Sequence, residues 1–205
     1  MGYNIAMKYV MCYGDSNTWG YNPEGLHIRY SKKIRYPMVL QELLGKNYTV
    51  YEEGQCARTI FNDDYEYHGG NFNGSKHFLN CFKSHLPIDY LVIMLGSNDM
   101  KDQFSCTSLE AAQKLKEIYI DKVREISPNT QIIIVAPKSI RETTFSGFIG
   151  AYNKSKNINE DYMNMAKETN CLFISNEILE TGKDGLHLSK KAHHDLAKEI
   201  YKLIR

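Results

Sequence analysis

Tyr90-Leu91-Val92-Ile93-Met94-Leu95, followed by Gly96-Ser97-Asn98-Asp99, is the stretch that decides how this chain folds. The apolar run does not alternate with polar residues, as expected of a parallel strand covered on both faces. The glycine and the small polar residues after it mark a turn at the strand's carboxyl end. Tyr9–Cys12, Ile132–Val135 and Leu172–Ile174 have the same character, and Tyr48–Tyr51 is a weaker fifth candidate. Helical patterns lie between these runs. Leu109, Ala112, Leu115, Tyr119, Val123 and Ile126 recur at spacings of three and four; Thr107 and Glu110 offer a capping box, and Ser127-Pro128 a stop. Ala192, Leu196, Ile200 and Leu203 predict a last helix over 190–204 with Ser189 as its N-cap. Ile158, Tyr162, Met165 and Ala166 suggest a further helix, and Tyr36–Leu44 one more. Strands alternating with helices imply an α/β sandwich, a parallel sheet with helices on both faces.

The 205 residues are enough for one domain, and no linker, repeat or low-complexity tract divides them. A formal net charge of +1 gives no field for nucleic acid or anionic lipid. No apolar span reaches the ~18 residues of a membrane helix, and Lys8 interrupts the first apolar stretch where a signal peptide would need its hydrophobic segment. Five cysteines, odd in number, widely spaced and without a CxxC, argue against a disulfide framework or zinc knuckle. A cytoplasmic protein is the expectation. The segment from Cys56 to Phe82, rich in Asn, Asp, Gly, Tyr and Phe, has no sustained period and reads as a long functional loop.

Ligands of open parallel sheets bind outside the carboxyl ends of the strands, so the residues just beyond each strand matter most. Gly14-Asp15-Ser16-Asn17-Thr18-Trp19-Gly20 stands after the first, Glu52-Glu53-Gly54-Gln55 after the second and Gly96-Ser97-Asn98-Asp99 after the third. Asp184-Gly185-Leu186-His187 comes after the last. Together they supply the parts of an acyl-transfer site. Ser16 is the candidate nucleophile and needs a base to take its proton. His187 is the candidate base, and Asp184, three residues before it, can fix its tautomer. The backbone N–H groups of Ser16 and Gly54, with the Asn98 amide, are candidate donors to an oxyanion.

These four ordered blocks resemble those of the SGNH (GDSL) hydrolases, named for catalytic Ser, Gly, Asn and His. The strings Tyr13 to Gly20, Glu52-Glu53-Gly54-Gln55-Cys56-Ala57-Arg58-Thr59, His85-Leu86-Pro87-Ile88-Asp89 and Ile93 to Asp99 are most similar to the arylesterase and acyltransferase (perhydrolase) branch. The similarity runs from about Met7 to the last helix. It implies a flavodoxin-like sheet of five parallel strands, short-chain acyl esters as substrates, no metal cofactor and assembly as a homo-oligomer. Two departures stand out: Ser97 where the family usually has Thr, and an unmatched segment, 143–156, with a place in the acyl pocket or an oligomer contact.

Several residues carry two readings. Asp15 is read as a cap or turn brace and Asp99 as a loop tie. Gly54 is either an oxyanion donor or a strand-end turn glycine. Trp19 is a substrate-pocket wall or a core residue; Arg58 is a brace for the long loop or a contact to a charged substrate. His193 and His194 read as helix-surface residues. His68, His77 and His85 lack ligand-spaced partners such as HExxH, which argues against a metal site. The rival functions are a carbohydrate O-acetylesterase with the same residues and a non-catalytic flavodoxin-like binding module. The absence of GxGxxG, a P-loop and GxSxG disfavours nucleotide binding and an α/β-hydrolase fold.

Overall fold

The computed structural model describes residues 6–25, 28–65 and 70–205. Five parallel strands form one sheet: β1 (Lys8–Gly14), β2 (Tyr48–Gly54), β3 (Tyr90–Met94), β4 (Gln131–Val135) and β5 (Leu172–Ile174), in the order β2-β1-β3-β4-β5. The run at 90–94 has no polar face because its two faces feed two cores. Leu91 and Ile93 point into one, with Met11 and Tyr13 of β1. Val92 and Met94 point into the other, with Val10 and Cys12. The two-residue period of a strand makes that division.

Helices cover both faces. One core is closed by α3 (Ser75–Ser84), α4 (Ser108–Leu115), a π-helical turn (Lys116–Ile120), α5 (Asp121–Ile126), α6 (Ala151–Ser155) and α7 (Ile158–Glu168), through Phe78, Phe82, Leu115, Val123, Ala151 and Tyr162 among others. The other is closed by α2 (Tyr36–Leu44) and α8 (Lys190–Ile204), through Leu40, Leu44, Leu196 and Ile200. A four-residue helix, α1 (Ser16–Trp19), starts directly beyond β1. Thr107 accepts from the Glu110 N–H and Ser189 from the Ala192 N–H, so both expected N-caps form. No helix among the described residues is long and apolar enough to cross a membrane.

Four details differ from the sequence expectations. The segment 56–82 is not all loop, since α3 begins inside it. Phe78 and Phe82, one turn apart, face the core. The helix expected through 107–126 widens at Lys116–Ile120, where the π turn lets both adjacent residues Tyr119 and Ile120 face inward. Leu109, counted in its apolar stripe, points to solvent at 55% exposure. His193 is not on the surface of α8 but fully buried. Its Nδ1 accepts from the Tyr36 N–H at 3.3 Å, at the start of α2. Tyr36 stacks along its ring and Tyr30 meets it edge-on, while its Nε2 has no hydrogen-bond partner among the described residues. Burial, helped by neighbouring positive groups, pushes its pKa down to about 3. His68 lies outside the described residues.

Candidate active site

In this strand order the chain reverses direction between β1 and β3, and the crevice beyond their carboxyl ends is the natural ligand position. Residues after β1, β2 and β3 meet there. Asp15 caps α1 by accepting the Asn17 N–H at 2.9 Å, and so places Ser16 in the first turn, where backbone N–H groups have no helical acceptor. Burial pushes the Asp15 pKa up to about 6 against the pull of the Asn17 N–H.

The histidine arrives from far along the chain. Asp184 accepts the backbone N–H groups of Leu186 and His187 through Oδ1, both at 2.9 Å, and faces His187 Nδ1 through Oδ2 at 2.7 Å. This tight turn passes through Gly185 at φ 72°, where a Cβ would lie 1.9 Å from the Glu142 carbonyl oxygen. Burial raises the Asp184 pKa, but the His187 ring and the two amides outweigh it and leave it below the usual carboxylate range. An ionised carboxylate only accepts, so Nδ1 carries the proton and Nε2 is left to accept. Ser16 Oγ lies 2.8 Å from that Nε2. A second bond locks the two segments together: the Leu188 N–H donates to Asn17 Oδ1 at 2.8 Å. The Tyr21 ring stacks on the His187 ring at 4.1 Å and 24°, and Phe145 meets it edge-on at 5.4 Å.

Ser16 and His187 open into a cavity of about 370 Å³ whose lining includes Trp19, Tyr21, Ala57, Phe72, Asn98 and Phe145. Five of its thirteen lining residues are aromatic: Trp19, Tyr21, Phe72, Phe145 and Phe148. Lys101, also on the wall, is buried against Asp64 at 2.7 Å. A separate depression, about 840 Å³, shares none of these residues and is an open, charged groove along α8 and 177–181.

The expected residues do not all meet. Asn98 reaches the cavity, with its amide held by one bond from Nδ2 to the Arg58 carbonyl at 3.1 Å; the second N–H remains to donate. Gly54 is not in the lining. A Cβ there would sit 2.1 Å from the Trp19 nitrogen, so glycine at 54 lets the end of β2 press against α1. Ala57, three residues on, lines the cavity instead, in the left-handed region at φ 64°. Among the described hydrogen bonds none comes from the Ser16 or Ala57 backbone N–H. Of its two readings, Arg58 takes the brace. It is buried outside the cavity lining, its Nη1 donates to the Gly14 and Glu53 carbonyls at 2.7 and 2.5 Å, and its guanidinium lies over the Tyr13 ring at 4.1 Å. Asp99 ties the long loop, accepting from Ile60 N–H and Asn62 Nδ2, and burial pushes its pKa up to about 6. Trp19 lines the cavity, and segment 143–156 contributes Phe145, Ser146 and Phe148 to it.

Sequence reading passed over Ala57, Tyr21, Asn17 and Phe72. Ala57 stood inside the quoted string at 52–59, but nothing in its residue type signals a left-handed backbone.

The arrangement can take a proton from a hydroxyl, hold it on an imidazole braced by a carboxylate, and present donors to an anion beside that hydroxyl. The comparisons point to ester hydrolysis. A carbohydrate acetylesterase family member from Sinorhizobium meliloti is similar over 97% of this chain and 98% of its own, at 32% identity and a TM-score of 0.88. The aryl esterase of M. smegmatis is similar over 97% and 98%, at 27% identity and a TM-score of 0.86. Comparison of the sequence with curated proteins gave no match. The model of the GDSL-like lipase/acylhydrolase family matches residues 12–194. From the strand order through the serine–histidine contact to that match, the chain belongs to the GDSL-like lipase/acylhydrolase family and is a hydrolase of ester bonds.

Proposed function

We propose that the protein is a serine esterase that cleaves short-chain acyl esters of apolar aryl or alkyl alcohols through an acyl-enzyme on Ser16. One observation carries this reading: the unbroken hydrogen-bond chain from Asp184 through His187 to Ser16 ends in an aromatic-walled cavity of about 370 Å³. His187 Nε2 takes the hydroxyl proton as Ser16 Oγ attacks the ester carbonyl. The oxyanion then accepts from the Ser16 and Ala57 N–H groups and from Asn98 Nδ2, with Ala57 in the role expected of Gly54. Each such donor is worth about 3–4 kcal/mol of transition-state stabilisation. His187 returns the proton to the departing alcohol. Water, activated by the same base, then releases the acid. A second alcohol or hydrogen peroxide entering the same aromatic cavity would take the acyl group instead.

Carbohydrate O-acetyl esters are the second reading, favoured by the likeness to the Sinorhizobium meliloti acetylesterase. The test compares p-nitrophenyl acetate, p-nitrophenyl octanoate and acetylated xylose, with wild type beside Ser16→Ala. Fast acetate cleavage, slow octanoate cleavage and turnover abolished in Ser16→Ala are expected. Activity kept within tenfold in that variant removes Ser16 as nucleophile. A preference for acetylated xylose transfers the assignment to the second reading.

A further inference from the structure

Away from the serine site, the carboxyl end of β2 and the end of α3 bring three metal-binding side chains of different chemistry together. His85 Nε2 lies 2.8 Å from Glu53 Oε1, and Cys81 completes a trio whose ligand atoms all fall within 4.8 Å of one another. None of the three lines the cavity that holds Ser16. We propose that Glu53, Cys81 and His85 form a binding site for one zinc ion.

The geometry needs little change. In a tetrahedral site with zinc–ligand bonds of about 2.0–2.3 Å, neighbouring ligand atoms stand about 3.4–3.6 Å apart. The His85–Glu53 contact therefore opens by roughly half an ångström, and the Cys81 sulfur moves in by no more than about 1.5 Å, within reach of small side-chain rotations. Cys81 in the last turn of α3 and His85 at its C-cap lie four residues apart, close to the spacing that puts side chains on one side of a helix. The imidazole is already oriented: the His85 ring stacks on Tyr51 at 4.2 Å and 28°, and Tyr51 stacks in turn on Tyr9. The third ligand comes from β2, the edge strand of the sheet, so the ion would clamp the end of α3 to that edge. All three residues are half-buried, which leaves the fourth position open to water.

The donor set selects the ion. One sulfur, one imidazole nitrogen and one carboxylate suit zinc and do not suit magnesium or calcium, which take oxygen ligands. A cysteine binds zinc as the thiolate, whereas a free cysteine is mostly thiol at neutral pH. Binding frees both ligand atoms of hydrogen: the S–H bond breaks as the zinc–sulfur bond forms and that proton passes to the buffer, while the Nε2 hydrogen that faces Glu53 moves to Nδ1 of the same ring, so one proton leaves per ion. This is not an oxidation, and no further reactant is needed.

The experiment titrates Zn²⁺ into the full chain by calorimetry in two buffers of different ionisation enthalpy, and repeats it with Co²⁺ by absorption spectroscopy. Cys81→Ser, His85→Gln and, as a control on α3, His77→Gln are compared with wild type; circular dichroism establishes that each is folded. One Zn²⁺ per chain, a proton released on binding and a thiolate-to-cobalt charge-transfer band are expected in wild type and His77→Gln. Cys81→Ser loses the band, and both ligand variants bind at least about tenfold more weakly. Should Zn²⁺ bind equally well to the ligand variants, or not bind the wild type at all, the site does not exist. Ser16-dependent ester hydrolysis, measured in parallel on apo protein, reports on the other site alone.

Discussion

His187 and His193 lie six residues apart, and both are buried against aromatic rings, yet the two surroundings give opposite chemistry. His187 has both ring nitrogens engaged, one with the Asp184 carboxylate and one with the Ser16 hydroxyl. His193 accepts a single backbone N–H, and its other nitrogen has no hydrogen-bond partner among the described residues. A proton added to His187 finds a carboxylate 2.7 Å away. One added to His193 finds no anion, and desolvation holds that ring neutral down to about pH 3. Burial turns a histidine into a structural acceptor; burial beside a carboxylate makes it a base that can carry charge briefly.

The sharpest way to break the contrast is to give His187 the company His193 has. Asp184→Asn keeps the shape, but its amide can donate to Nδ1 and so favours the tautomer in which Nε2 cannot accept the Ser16 proton. We expect kcat on p-nitrophenyl acetate to fall by about 10⁴ with the fold retained. A loss of less than tenfold, read by steady-state kinetics, would mean that the carboxylate does not set the tautomer.

The next test works on the other histidine and is read in stability. The folded-state pKa of His193, about 3, lies below the ~6.5 of an unfolded histidine, so the unfolded chain binds the extra proton between those values. The stabilising effect of the neutral ring is therefore complete above pH 6.5 and is lost as pH falls toward 3. His193→Asn lacks this dependence. Its deficit against wild type in urea unfolding should shrink by about 3 kcal/mol between pH 7.5 and pH 4.5, with ester hydrolysis at pH 7.5 unchanged. Asp15 and Asp99, raised to about 6, act in the opposite sense, being most favourable to the fold at low pH; they are common to both proteins and cancel in the difference. A deficit that does not change with pH would show that His193 titrates normally.

The smallest expected effect comes from loosening the loop that carries His187. Asn17→Ala leaves the Leu188 N–H without its acceptor and lets the base drift relative to Ser16. A roughly tenfold fall in kcat with KM little altered is expected, since small misplacements of a base reduce rate more than binding. Equal kinetics for the two proteins would show that the Asp184 turn alone fixes the ring.

How much of the molecule is legible in its sequence depends on how local each signal is. The strands at 90–94 and 131–135 announce themselves because a strand buried on both faces needs no polar residue. The order of the blocks around Ser16, Asn98 and His187 was legible because each comes after a strand or a turn of its own. Ala57 was not, because left-handed backbone is uncommon in alanine and only the folded turn imposes it. The lysines and histidines around 190–194 look like a solvated face, and only the packing of α2 against α8 buries one of them. Helix α3 was lost in a polar, glycine-bearing context whose only strong periodic pair is Phe78 and Phe82. The four-residue spacing of Cys81 and His85 was visible, but their third companion sits on a different element, 32 residues before His85.

The contact between Ser16 and His187 spans 171 positions of sequence. On a ribosome, where synthesis proceeds from the N-terminus at about 5–20 residues per second, Ser16 leaves the exit tunnel well before His187 exists. A partly made chain, whatever strands it has already paired, cannot hydrolyse an ester. The appearance of activity therefore times the docking of the 184–188 loop and α8, and a stalled or clipped nascent chain stays chemically silent.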